Sequence, residues 1–217
     1  MTPQIRPSSI RKRQAILAAA EQLFLRDGYL STNMDELAAL SQVSKQTVYK
    51  HFGSKEALFI ALVSSMTTLA GDEVLDDAPD PVAAENLPGF LADYAERQLA
   101  AVLSPRILQL RRLVIGEVAR FPELGEVLWD SGPRRAMTSM AARFARLAAL
   151  GWLQVDAPET AASVFNWLVM AEPLNTAMLL GDQAVPAPAA LRRHCAEAIR
   201  LFLAAYGWRG ALAIQSA

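Results

Sequence analysis

The chain has 217 residues, a formal net charge of −1 and hydrophobic residues at 53% of its positions. This length is enough for one large or two small domains. Its single cysteine excludes an internal disulfide. No apolar stretch of about 20 residues runs uninterrupted, which argues against a signal peptide or a membrane span; we therefore expect a cytoplasmic protein. The Ala- and Leu-rich composition and the lack of a convincing strand pattern predict an all-α fold of about nine or ten helices.

The first predicted helix runs from Ser9 to Asp27, and Gly28 favours the end of the helix there. Residues at helical spacing form its expected buried stripe: Ile16, Ala20, Leu23 and Phe24. Four cations crowd the helix start: Arg6, Arg11, Lys12 and Arg13. Cations at a helix N-terminus oppose its dipole, so this basic arm is better explained by contacts with phosphates.

The second predicted helix is short and begins after Asn33. Asn33 and Glu36 have the spacing of a capping box, with Asn in place of Ser or Thr. Met34, Leu37 and Ala38 follow the i, i+3, i+4 spacing of an inward face. A break at residues 41–42 then separates this helix from the next one.

The third predicted helix, Ser44 to Phe52, carries the strongest functional signal. Val48 and Phe52 fall on one face and are expected to be buried together. The remaining positions carry groups that read base edges or donate to phosphates: Lys45, Gln46, Thr47, Tyr49, Lys50 and His51. A helix, a tight turn and a short polar helix in this order are typical of a helix-turn-helix that presents side chains to a DNA groove.

A fourth helix is predicted from Ser54, a good N-cap, to about Gly71 or Asp77, with Lys55 well placed for a phosphate. An acidic linker with prolines follows at 76–88. Further helices are expected at about 87–103, 105–120, 123–130, 134–150, 158–181 and 188–206, with prolines at or near their starts.

Two of these later helices have informative faces. The helix at 105–120 has an expected buried face, flanked by Arg111 and Glu117: Ile107, Leu110, Val114, Val118 and then Phe121. The helix at 158–181 is apolar on nearly all sides, so we expect it to be buried on all sides, against a core and against a partner chain. Pro173 inside it predicts a kink.

Charge is unevenly distributed along the chain. The first 60 residues hold eight Lys or Arg and five acids, a balance of +3, and the remainder is therefore −4. Residues 72–96 contain acids and no base. A basic head on an acidic body suits a protein that contacts DNA with one end.

The chain resembles the TetR family of bacterial one-component transcriptional regulators over about residues 9–62. The matching strings are A-I-L-A-A-A-E-Q-L-F-L-R-D-G-Y at 15–29 and V-S-K-Q-T-V-Y-K-H-F-G-S-K-E-A-L-F at 43–59. The string R-R-L-V-I-G-E-V-A-R-F-P-E-L-G at 111–125 resembles the AefR-like group of C-terminal domains. The resemblance implies a three-helix DNA-binding domain at 1–55, with its basic arm, and a larger helical regulatory and dimerisation domain at 56–217.

The resemblance also implies roles for single residues. Matching positions imply that Lys45, Gln46 and Thr47 approach bases on a helix that begins at Ser44 and includes Lys50. They also imply that Tyr49, His51 and Lys55 hold phosphates and that Asn33 caps the second helix.

The motif departs from the family pattern at two places. Ser41-Gln42 replaces the usual Ala-Gly of the turn, where a non-Gly residue at positive φ costs about 1 kcal/mol. Gln46 replaces a common Gly and adds a side chain able to read adenine, so we expect a different preferred operator.

In the C-terminal part, the resemblance implies a small-molecule pocket and a four-helix dimer interface formed by the last two helices. The pocket candidates are bulky side chains with three polar anchors: Phe90, Tyr94, Trp129, Phe144, Phe165 and Met170, with Arg111, Glu117 and Asn166. The interface candidates come from both helices: Trp167, Leu168, Leu179, Leu191, Cys195, Ala198 and Phe202. Dimerisation also follows from DNA reading, because two-fold dimers read palindromes.

The leading hypothesis is a homodimeric repressor that an apolar or aromatic effector releases from a palindromic operator. One alternative is a DNA-binding dimer controlled by a partner protein or by no ligand. A helical enzyme is the other alternative. The sequence holds two histidines, no metal-ligand spacing and no recognised nucleophile, P-loop or dinucleotide motif, so no catalytic residue, metal or cofactor is predicted.

Overall fold

A computed structural model describes residues 7–75 and 81–208. This part of the chain contains no strand, which confirms the all-α prediction. Its ten α-helices are α1 Pro7–Ser31, α2 Met34–Leu40, α3 Lys45–Phe52, α4 Lys55–Leu75, α5 Leu87–Val102, α6 Pro105–Glu117, α7 Pro122–Trp129, α8 Arg135–Ala149, α9 Pro158–Leu180 and α10 Pro188–Ala205. Arg6 and residues 76–80 of the predicted linker lie outside the described residues.

The chain divides into two compact units. Unit 1 contains the residues up to Thr67 together with Gln109–Trp129, and unit 2 contains Thr68–Leu108 and the residues from Asp130 onward. Unit 1 thus extends beyond the boundary predicted after residue 55. The assignment of DNA-binding and regulatory roles to 1–55 and 56–217 stays a prediction.

Unit 1 is built on the expected stripe of α1. Ile16, Ala20, Leu23 and Phe24 are completely buried, as their spacing predicts. Gly28 adopts φ 79°, ψ 173° and interrupts the helical backbone of α1 where the stop was predicted. Just beyond it, Tyr29 stacks on Phe59 with ring centroids 5.2 Å apart and meets Phe121 edge-on at 4.8 Å.

Unit 2 has a core of aromatic rings drawn from α5, α8, α9 and α10. Phe144 stacks on Phe202 at 4.9 Å, and Phe165 meets both rings at 5.8 Å and 5.3 Å. Tyr94 lies 6.1 Å from Phe165. Cys195 is fully buried in the same core, and burial raises the pKa of its thiol to about 11.

The expected buried face of α6 is correct up to its last turn. Ile107, Leu110 and Val114 are buried, whereas Val118 is 37% exposed, so its predicted burial was wrong. The reason is that α6 ends at Glu117, and helical spacing no longer applies beyond that residue. A similar local change occurs before α8, where Pro133 lies inside a π-helical turn at 130–134.

Helix α9 presents two apolar sides. Phe165, Val169 and Met170 are buried in unit 2, and the helix runs continuously through Pro173. Four large apolar residues of α9 are nevertheless exposed: Val164 at 40%, Trp167 at 40%, Leu179 at 80% and Leu180 at 63%.

Candidate nucleic-acid interface and ligand site

The start of α2 forms only half of the predicted capping box. Asn33 Oδ1 accepts a hydrogen bond from the backbone N–H of Asp35 at 2.8 Å, which is the expected cap. Glu36 Oε1 instead accepts from Arg26 Nη2 at 2.8 Å. Arg26 also donates to both oxygens of Asp27 at 2.6 Å and 2.7 Å, and this bonding lowers the pKa of the Asp27 carboxyl.

The turn between α2 and α3 has the strained residue that the sequence predicts. Gln42 has φ 56°, the one positive φ at a non-glycine residue among the described residues. The Ser41 hydroxyl donates to Leu37 O at 2.7 Å, and Val43 N donates to Ala38 O at 3.0 Å. These bonds hold the turn in a conformation that costs a side-chain-bearing residue about 1 kcal/mol.

Helix α3 is fixed at its N-terminus and along one face. Ser44 Oγ accepts from Thr47 N at 3.1 Å and lies 2.8 Å from Thr47 Oγ1, so Ser44 acts as the N-cap. Val48 is 1% exposed and anchors the helix in unit 1. Phe52 is half-buried and packs against the core of unit 1, and the Arg13 guanidinium lies 4.9 Å from the centre of its ring. Sequence reasoning missed this contact, which joins α1 to α3.

The outward face of α3 is polar and cationic. Lys45, Gln46, Tyr49 and Lys50 are exposed, and Thr47 and His51 are half-exposed. Lys45 Nζ forms an exposed ion pair with Asp35 Oδ2 at 3.0 Å, a contact that surface screening keeps weak. The predicted DNA-reading residues of α3 are therefore all at least partly accessible.

A basic groove in unit 1 lies between α1 and the turn that precedes α3. Exposed Arg11 and Lys12 line it together with Ser41 and Gln42, and its volume is about 500 Å³. This arrangement places part of the predicted basic arm next to the strained turn. Lysine and arginine side chains in such positions are suited to phosphate oxygens.

Lys55 has a different surrounding from the one predicted. Its Nζ donates to Thr32 O at 2.7 Å and Leu30 O at 3.2 Å, and it lies 5.0 Å from the ring centre of Tyr29. Burial lowers the pKa of its ammonium, an effect that Glu117 opposes. The side chain thus bonds carbonyl groups near the end of α1, and a phosphate contact through its remaining N–H stays a prediction.

The predicted pocket residues fall into two groups. Six belong to unit 2: Phe90, Tyr94, Phe144, Phe165, Asn166 and Met170. Arg111, Glu117 and Trp129 belong to unit 1. Glu117 acts electrostatically on Lys55 and Tyr29, and Trp129 is 37% exposed. These three residues therefore do not belong to the aromatic cluster with which the sequence grouped them.

Gln98 is a polar residue of unit 2 that the sequence analysis missed. It is 6% exposed, and its Nε2 donates to Oδ1 of the equally buried Asn166 at 3.0 Å. Gln98 lies four residues after Tyr94, so the two share one face of α5. A polar residue at a buried helical position was the available signal.

The predicted interface residues of α10 require a correction. Cys195, Ala198 and Phe202 are buried inside unit 2, at 0%, 5% and 0% exposure, and cannot also form a surface for a partner. Leu191 is half-buried. On α9, Trp167 and Leu179 are exposed and Leu168 is half-buried, so the accessible apolar surface lies mainly on that helix.

Two further observations concern the described part of the chain. It contains no group of three or more His, Cys, Asp or Glu side chains arranged to hold a metal ion. None of its helices combines the length and the apolar character that a membrane crossing requires.

Two family models match the chain. Residues 16–62 match the tetR family of bacterial regulatory proteins. Residues 89–208 match the C-terminal domain of AefR-like transcriptional repressors. The first match includes α2 and α3 completely, and the second includes α6 to α10.

Curated relatives match over different lengths. A DNA-binding transcriptional repressor TetR of Mycobacteroides abscessus is 40% identical over 62 residues, 29% of this chain and 33% of that protein. The repressor NicS of Pseudomonas putida is 30% identical over 43% of this chain and 49% of its own length. The repressor Rv3405c of Mycobacterium tuberculosis is 30% identical over 78% of this chain and 80% of its own length.

Solved structures of transcriptional regulators also resemble this chain in fold and sequence. A TetR-family transcriptional regulator from Mesorhizobium loti is 34% identical with a TM-score of 0.83, covering 93% of this chain and 99% of that one. The flavonoid-responsive regulator FrrA is 31% identical with a TM-score of 0.75, covering 90% and 96%. These relatives are transcriptional regulators rather than enzymes. The chain therefore belongs to the TetR family of transcriptional regulators, with a C-terminal domain of the AefR-like type.

Proposed function

We propose that this regulator is a homodimeric repressor that reads a palindromic operator through α3 and leaves it when a small apolar or aromatic effector binds in unit 2. The observation that carries the DNA-binding part is the face of α3. Lys45, Gln46, Tyr49 and Lys50 are all accessible on a helix that Val48 fixes from behind. A fixed helix with an exposed polar face is what groove reading requires.

Dimerisation is supported by the exposed apolar side of α9. One side of α9 carries apolar residues at helical spacing: Val164, Trp167, Leu168, Ala171 and Leu179. An exposed apolar surface of this kind marks an interaction site in a soluble protein. A second copy of the same helix is a suitable partner, because a two-fold dimer places two copies of α3 on two half-sites.

Effector release is supported by the aromatic core of unit 2 and by the relatives. FrrA is described as flavonoid-responsive, and the C-terminal family model is that of a repressor. A ligand lowers operator affinity when it prefers the conformation that does not bind DNA, and such coupling typically amounts to about 1–3 kcal/mol.

The test is a gel shift with DNA from directly upstream of the regulator's own gene, a salt titration and random-sequence competitor. We expect Gln46→Ala to change the sequence preference. Lys50→Met should weaken binding to all sequences and lower the salt slope by about 1. The control Arg192→Met removes a cation from the exposed side of α10 and should leave both properties unchanged.

Two results would contradict the proposal. The first is unchanged operator binding after Lys50→Met combined with Tyr49→Phe, because both side chains lie on the proposed DNA-reading face. The second is saturation at one chain per palindrome, which would remove the dimer.

A further inference from the structure

Unpartnered polar atoms are concentrated on one helix of unit 2. Four buried side-chain nitrogen or oxygen atoms have no hydrogen-bond partner among the described residues: Tyr94 Oη, Arg97 Nε, Gln98 Oε1 and Arg111 Nε. The first three lie on α5 within residues 94–98. A buried polar atom without a partner typically costs about 1–3 kcal/mol, so three on one helix segment require an explanation.

The chemistry of two of these atoms is complementary. Tyr94 Oη can donate or accept a hydrogen bond, whereas Gln98 Oε1 can only accept. Gln98 Nε2 is already engaged with Asn166 Oδ1 at 3.0 Å, which leaves the carbonyl oxygen of the amide as its free group. Tyr94 and Gln98 are 1% and 6% exposed and lie four residues apart, so they follow each other on one face of α5.

Aromatic rings lie beside Tyr94, and Arg97 and Arg143 act on it electrostatically. The rings of Tyr94 and Phe165 are 6.1 Å apart, and Phe165 in turn contacts Phe144 and Phe202. The aromatic rings beside Tyr94 favour a ligand that is mostly hydrocarbon.

We propose that Tyr94 and Gln98 recognise a hydroxyl group on the effector, which accepts a hydrogen bond from Tyr94 Oη and donates one to Gln98 Oε1. One hydroxyl satisfies both atoms, whereas a carboxylate or an ether has no proton to give to Gln98. The effector class is therefore a small aromatic or apolar alcohol or phenol. Its status as an effector rests on the proposed function, but its binding does not.

The test compares two probes of nearly equal size, 2-naphthol and 2-methoxynaphthalene, by isothermal titration calorimetry without DNA at about pH 7. We expect the wild-type chain to bind 2-naphthol at least about tenfold more tightly, since the ether leaves Gln98 Oε1 unsatisfied. Tyr94→Phe and Gln98→Met should each remove most of this preference. Tyr206→Phe, the same change at another ring of the unit 2 cluster, should retain it.

Several outcomes would overturn the proposal. Equal affinity for the two probes, or no binding of either, would show that the site does not read a hydroxyl. A preference that persists in Tyr94→Phe, together with lower thermal stability of that variant, would show that a buried water serves Tyr94. If the wild-type chain showed no specific operator binding in the gel shift but still preferred 2-naphthol, the proposed function would be refuted and the hydroxyl site would stand.

Discussion

Lys55 offers the sharpest test of how unit 1 is held together, through the change Lys55→Met. Methionine keeps an unbranched apolar side chain against Tyr29 and removes the ammonium that donates to Thr32 O at 2.7 Å and Leu30 O at 3.2 Å. Thr32 is 4% exposed, so its carbonyl loses a partner that water cannot easily replace, at about 1–2 kcal/mol. Leu30 is exposed, and water can hydrate its carbonyl.

The cation–π contact adds about 0.5 kcal/mol at a partly exposed site, and relief of the ammonium's desolvation offsets part of the loss. We therefore expect Lys55→Met to lower the free energy of unfolding by about 1–2 kcal/mol. The measurement is urea unfolding followed by far-UV circular dichroism. Lys50→Met is the matched control, because Lys50 is exposed on α3 and its loss should change stability by less than about 0.5 kcal/mol.

Equal stability of Lys55→Met and Lys50→Met would refute this reasoning. It would mean that the hydrogen bonds from Lys55 to the two carbonyl groups add nothing to the free energy of unfolding and that Lys55 is available for DNA, as the sequence predicted. A gel shift on the same two variants separates the roles, since Lys50→Met should weaken operator binding without a loss of stability.

Three other predictions follow from single residues. Gln42→Gly should raise the free energy of unfolding by up to about 1 kcal/mol in urea titrations, because glycine adopts φ 56° without strain; a loss of stability would show that the Gln42 side chain matters more than its backbone. Above pH 10 the unfolded chain releases the Tyr94 proton, while burial raises the pKa of Tyr94 to about 12 in the folded chain, so stability falls as pH rises from 10 to 12. Tyr94→Phe should lessen this fall in melting temperature, and an unchanged profile would contradict it. Trp167→Glu should dissociate the proposed dimer in sedimentation velocity, whereas the control Leu150→Glu, at an exposed apolar residue outside α9, should not; a dimeric Trp167→Glu variant would place the interface elsewhere.

The sequence predicted best what depends on neighbours in the chain. The Asn33 cap and the buried Val48 follow from spacings of a few residues. The family pattern of the turn indicated the positive φ at residue 42, and the family motif predicts the role of α3. Glu36 shows the limit of such local rules, because Arg26, ten residues away in sequence, takes the carboxylate that the capping box required.

Long-range partners were beyond the sequence pattern. Lys55 bonds carbonyl groups more than 20 residues away, and no periodicity indicates that choice. Helical spacing on α10 correctly aligned Cys195, Ala198 and Phe202, but a shared face does not tell whether the chain's own core or a partner covers it. Gln98 was missed for a related reason, because its partner Asn166 lies 68 residues away in the sequence.

The burial of Cys195 has a practical consequence for studying this regulator in solution. It is the only thiol in the chain, it is inaccessible, and its raised pKa leaves almost no reactive thiolate at neutral pH. A maleimide dye added to the native protein should therefore leave it unmodified. The natural sequence is thus a ready background for fluorescent labelling, in which one cysteine introduced on α3 would report the arrival and departure of DNA in real time.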